Sequence, residues 1–123
     1  MELVQVAQHA EDLDRAAAFY SDLLGYGPSA RFDPPGLLFF ALGDTRLLLE
    51  QGAPSAMLYL GVESVRETVA RLRAQGTAIE AEPHVIFTHD DDTLGPAGSD
   101  EWHAFVRDSE GNLVGLVSRE PHG

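Results

Sequence analysis

The sequence predicts an α+β fold in which a strand–helix–strand–strand–strand unit occurs twice. Three observations carry this expectation. Strand-like alternation and helix-like periodicity follow each other in the same order in both halves. Gly- and Pro-containing turn signals separate them at matching places. Displacing the chain by 52 residues lays Gln5 on Met57, Asp12 on Ser64, Leu13 on Val65 and Tyr20 on Leu72; displacing it by 67 lays Asp44 on Gly111, Leu47 on Val114 and Leu49 on Leu116. One repeat cannot cover both faces of a curled four-stranded sheet, so the halves are expected to pack as one domain over 1–123, with module one at 1–52 and module two at 56–120.

The elements follow in order. Residues 2–9 alternate as a half-buried strand, with Val4 and Val6 on one side and Leu3, Gln5, Ala7 and His9 on the other. Asp12 is an N-cap for a helix whose stripe is Leu13, Ala16, Ala17, Tyr20 and Leu24, stopped by Gly25 and Gly27. Arg31-Phe32, a Pro34-Pro35-Gly36 turn and strands at 37–42 and 45–50 follow, the last two joined by Gly43-Asp44. Residues 51–55 read as a linker.

Module two starts with a strand at 57–62. Ser64 and Glu67 form a capping box for a helix with Val65, Val69 and Leu72 buried, ended by Gly76. A strand at 78–87 is interrupted near Pro83. Residues 89–100 read as a polar loop, 102–107 as a strand, 108–111 as a turn and 112–118 as the last strand. The tail from Arg119 reads as frayed.

Composition narrows the function. Eight Lys and Arg against 20 Asp and Glu give a net charge of −12, which repels phosphate backbones and argues against nucleic acid as a partner. The chain has no cysteine, so thiolate metal sites and cysteine nucleophiles are excluded. No apolar run is long enough to span a membrane, and no basic leader opens the chain, so a cytoplasmic location is expected.

Two stretches carry a resemblance. Asp12-Leu13-Asp14-Arg15, then Phe19-Tyr20 and Leu24-Gly25, resemble the first-helix motif of the vicinal oxygen chelate superfamily. Phe105-Val106-Arg107-Asp108-Ser109-Glu110-Gly111-Asn112 resembles its late turn, with Ser109 where Pro is usual. The superfamily includes glyoxalase I, methylmalonyl-CoA epimerase, extradiol dioxygenases, fosfomycin-resistance enzymes and bleomycin-binding proteins. The resemblance implies curled mixed sheets around a cup-shaped cavity, helices on the outer faces and pairing as a homodimer. It also implies a metal held by one residue from each of four strands. Those positions fall on Gln5, Leu48, Met57 and Gly115, and only Gln5 offers a usual ligand for a hard or borderline ion. We therefore expect neither metal nor cofactor.

What lines such a cup is mostly apolar: Leu3, Ala7, Leu48, Met57, Tyr59, Leu113, Gly115 and Val117, with Gln5, His9, Arg46 and Glu50 as polar exceptions. Only one of Trp102 and His103 can face inward; Trp102 would stack on a planar ligand, whereas His103 would serve as a base. His84, His89 and His103 with Asp90, Asp91 and Asp92 read as a solvated acidic loop rather than a second metal site. The acidic loop would favour a cationic ligand. Two functions stay open. One is a metal-independent protein that binds an apolar or aromatic small molecule, sequestering an antibiotic or other toxic metabolite. The other is a lyase or isomerase using Glu50, His9 or His103 as base.

Overall fold

A computed structural model describes residues 1–109 and 111–122. The fold is α+β, built from two βαβββ modules. By its internal contacts the chain divides into two compact units, Gln5–Met57 and Met1–Val4 with Leu58–Gly123.

The first unit is formed by β1 (Glu2–His9, from Gln5 onward), α1 (Leu13–Leu24), β2 (Ala30–Phe32), β3 (Leu37–Leu42) and β4 (Thr45–Glu50). Its strands lie in the order β2-β3-β4-β1, with β1 parallel to β4 and the other pairs antiparallel. The Asp12 carboxylate accepts the Arg15 N–H at 3.0 Å and so starts α1; Gly25, at φ 83°, ends it in a conformation that costs a side-chain-bearing residue energy. Leu13, Ala16, Ala17, Tyr20 and Leu24 of α1 pack on Leu38, Phe40, Leu47 and Leu49. Phe40 is fully buried, which stabilises the unit by about 1.5–3 kcal/mol. Phe39 on the opposite face is buried too, its ring meeting Phe32 at 6.0 Å.

The second unit contains β5 (Met57–Gly61, from Leu58 onward), α2 (Val65–Ala74), β6 (Ile79–Thr88), β7 (Ser99–Arg107) and β8 (Leu113–Pro121). The order is β5-β8-β7-β6, with β5 parallel to β8 and the rest antiparallel. Ser64 accepts the Glu67 N–H at 3.1 Å, and Val65 and Val69 of α2 bury themselves against Ala104, Val106 and Leu116. The Asp108 carboxylate accepts the Asn112 N–H at 2.8 Å in the turn before β8; Glu110 of that turn and Gly123 lie outside the described residues.

Two boundaries differ from expectation by more than one residue. Strand β7 begins at Ser99, three residues before the predicted start, and β8 continues through Arg119 and Glu120 to Pro121. Ser99 pairs with Pro121, Asp100 with Glu120 and Glu101 with Arg119, so the supposed frayed tail is a strand end. Each extension supplies the ladder partners of the other, a reason that local polarity conceals. His122 N–H then closes on the Gly98 carbonyl at 2.9 Å.

Candidate functional site

Strand alternation decides which side chains share the face opposite each helix. In the first unit that face carries Gln5, Ala7, Phe39, Arg46 and Leu48. Gln5 pairs with Arg46, Ala7 with Leu48 and His9 with Glu50 across β1 and β4. Gln5, Ala7 and Leu48 are buried. The Gln5 Oε1 has no hydrogen-bond partner, although a buried acceptor left unmade costs about 1–3 kcal/mol. The Arg46 guanidinium stands over the Phe39 ring at 5.7 Å. Glu50 is half-buried, and loss of water around it raises its carboxyl above the usual carboxylate range. His9 is exposed and lines a groove of about 470 Å³ with Asp12, Phe19, Tyr20 and Leu49 beside α1.

In the second unit, Tyr59 of β5 pairs with Gly115 of β8, and Gly115 with Phe105 of β7. The Tyr59 ring lies against Gly115: a Cβ there would stand 2.7 Å from Cδ2. Tyr59 also meets His103 at 5.6 Å and Phe105 at 5.8 Å between ring centroids. Leu113, two residues before Gly115, is half-buried.

His103 is the member of the Trp102–His103 pair that faces this side. Trp102 packs instead with the α2 cluster, its ring 4.2 Å from the Arg66 guanidinium carbon. The expectation of Trp102 as a ligand-stacking residue is therefore corrected: successive strand residues point to opposite faces, and His103 takes the inner one.

The second unit also holds a cluster that sequence reasoning missed. Glu101, 2% exposed, accepts from His89 Nε2 at 2.9 Å through one oxygen and from His103 Nε2 at 2.6 Å through the other. Arg119 Nε stands 3.5 Å from the first oxygen. His89 is 2% exposed, so it is no part of a solvated loop. Its ring sits beneath Gly95 and 4.9 Å from Phe87. His84 is exposed and turns its Nδ1 to the Glu82 carbonyl at 2.8 Å. The Glu101-x-His103 spacing was the available signal, since residues two apart on a strand share a face. Ending the loop at Asp100 and starting the strand at Trp102 leaves Glu101 in neither.

The donor set answers the question of a family-type metal. At the four positions stand a carboxamide, a leucine, a thioether and a glycine, and Tyr59 covers Gly115. Leu48 and Gly115 bring no ligating atom on a side chain, and a thioether suits soft ions only. These residues do not fit the group.

The comparisons with known proteins agree with the architecture. The family described as "Glyoxalase/Bleomycin resistance protein/Dioxygenase superfamily" matches residues 2–116. The "Cadmium-induced protein CadI" of Mycobacterium tuberculosis is 33% identical over 124 residues, covering 89% of this chain and 80% of that protein. Among solved structures, the hypothetical protein BH1468 of Bacillus halodurans superposes with a TM-score of 0.73 at 16% identity, over 99% of this chain and 96% of the other. A Streptomyces coelicolor methylmalonyl-CoA epimerase gives 0.67 at 17% identity, over 96% and 94%. With its two βαβββ modules and a match spanning both, the chain belongs to the glyoxalase/bleomycin resistance protein/dioxygenase superfamily.

Proposed function

We propose that the protein is a metal-independent small-molecule-binding member of this superfamily, acting in the cytoplasm to sequester an antibiotic or other toxic metabolite. The observation that carries this reading is the buried Gln5 Oε1 without a hydrogen-bond partner, on the same face as Ala7 and Leu48. An apolar surface with one unmade acceptor suits an apolar or aromatic compound that brings an N–H or O–H donor. Sequestration needs affinity alone, so it does not require the missing metal ligands. The net charge of −12 favours a cationic compound. A homodimer is expected on family grounds. The curated relative is named for induction by cadmium, but this chain has no cysteine thiolate for a soft ion, so the compound is organic in our reading.

A second reading rests on Glu50. Its raised carboxyl would suit a lyase or isomerase that moves a proton without a metal, with His9 and His103 as the other candidate bases.

The test is a thermal-shift screen of aromatic and cationic natural products, followed by calorimetry on hits, with elemental analysis of the purified protein. We expect stoichiometric binding without Zn, Ni, Fe or Mn, weakened by about 0.5–1.5 kcal/mol in Gln5→Ala. A full complement of one of these metals overturns the reading. Turnover of a bound compound, lost in Glu50→Gln, selects the enzyme.

A further inference from the structure

The His89–Glu101–His103 cluster has a consequence for the chemistry His103 offers. An ionised carboxylate can only accept, so with Glu101 ionised both imidazoles donate to it through Nε2–H. Glu101 uses a different oxygen for each: Oε1 for His89 at 2.9 Å and Oε2 for His103 at 2.6 Å. In a neutral imidazole, a proton on Nε2 leaves the lone pair on Nδ1. The arrangement is held from outside. His89 is wedged under Gly95, where a Cβ would come within 2.9 Å of its ring. The His89 N–H bonds the Ser99 carbonyl at 2.8 Å, and the Gly98 N–H returns to the His89 carbonyl at 2.7 Å. Arg119 balances the charge of Glu101 from 3.5 Å. The His103 side chain keeps 9% exposure, against 2% for His89, and its ring stands among Tyr59 and Phe105.

We propose that Glu101 is a positioning residue: by fixing His103 as the Nε2–H tautomer, it makes Nδ1 an acceptor, beside Tyr59 and Phe105, for an aromatic ligand bearing a hydroxyl or N–H donor. This rests on the binding reading above and names a ligand chemistry for the face of the second unit. His89 is the second anchor, holding the carboxylate by its other oxygen.

Two measurements on the full chain test it. The first needs no ligand: ¹⁵N-resolved imidazole spectra at neutral pH. We expect the His103 proton on Nε2 and a lone pair on Nδ1, and a mixture of tautomers in Glu101→Gln. A proton on His103 Nδ1 in the wild type, or a single Nε2–H tautomer persisting in Glu101→Gln, overturns the positioning role and leaves the binding reading untouched. The second uses phenol and anisole, which share a ring and differ in the donor. Phenol should bind about three- to tenfold more tightly, with the larger shift at His103 Nδ1, and lose that preference in Glu101→Gln. Equal affinities in the wild type, or no binding of either, overturn the acceptor role. The wild-type tautomer and the phenol–anisole difference both remain decisive if Glu101→Gln does not fold.

Discussion

The Tyr59 ring lies close enough to Gly115 that a methyl group on Gly115 would come within 2.7 Å of Cδ2 and 3.1 Å of Cγ. Gly115 shows no left-handed backbone, so its glycine is required by this close approach and not by its φ angle. Gly115→Ala should force the ring aside and destabilise the fold by about 1–3 kcal/mol in urea unfolding. Tyr59→Ala removes the ring and, with it, the conflict. The double variant should therefore be more stable than the sum of the two single changes predicts, which a double-mutant cycle measures.

The elements built on local signals were readable from the sequence. The N-caps Asp12 and Ser64, the α1 stripe from Leu13 to Leu24 and the Gly43-Asp44 turn are set by residues close in the chain. The candidate site's arrangement was legible only in part. Gln5, Leu48, Tyr59 and Gly115 follow from alternation within single strands. Glu101 and Arg119 do not, because they meet through the pairing of β7 with β8, 18 residues apart. A charged residue at a strand end reads as solvated until its cross-strand partner is known. His89 is hidden for the same reason: three aspartates follow it, yet its ring is buried.

Trp102 lies on the α2 side of β7, against Arg66. A ligand on the face of His103 should leave its fluorescence nearly unchanged. Arg66→Ala should alter that emission and cost about 0.5–1 kcal/mol, the range of a partly exposed cation–π contact. A strong fluorescence response to a bound compound, undiminished in Arg66→Ala, would place the compound on the helix side.

Glu50 has its carboxyl raised by burial, so the folded chain holds this proton to higher pH than the unfolded chain does. Over that window the folded state binds more protons, and the contribution of Glu50 to stability falls as pH rises through it. Above the window its charge is a standing cost. Glu50→Gln should raise the melting temperature at pH 7–8 and give little or no gain near pH 4, where the native carboxyl is already protonated. A gain independent of pH would mean that burial of the charge is not the cause.

Gly95 is the residue that lets His89 reach Glu101. A Cβ at this position would stand 2.9 Å from both Cε1 and Nε2 of His89 and 3.1 Å from Arg119 Nε. The imidazole cannot retreat easily, because Phe87 closes on it at 4.9 Å and the ring is 2% exposed. Gly95→Ala should therefore break the His89–Glu101 bond before it breaks the strands. We expect a loss of about 1–3 kcal/mol, the penalty for a buried partner left unsatisfied. Amide exchange should quicken at Gly98 and Ser99, whose hydrogen bonds tie the loop to His89, and stay slow at Ala104 and Val106 under α2. Equal quickening at both places would mean that the loop and the sheet open as one unit, and that His89 does not hold the loop by itself.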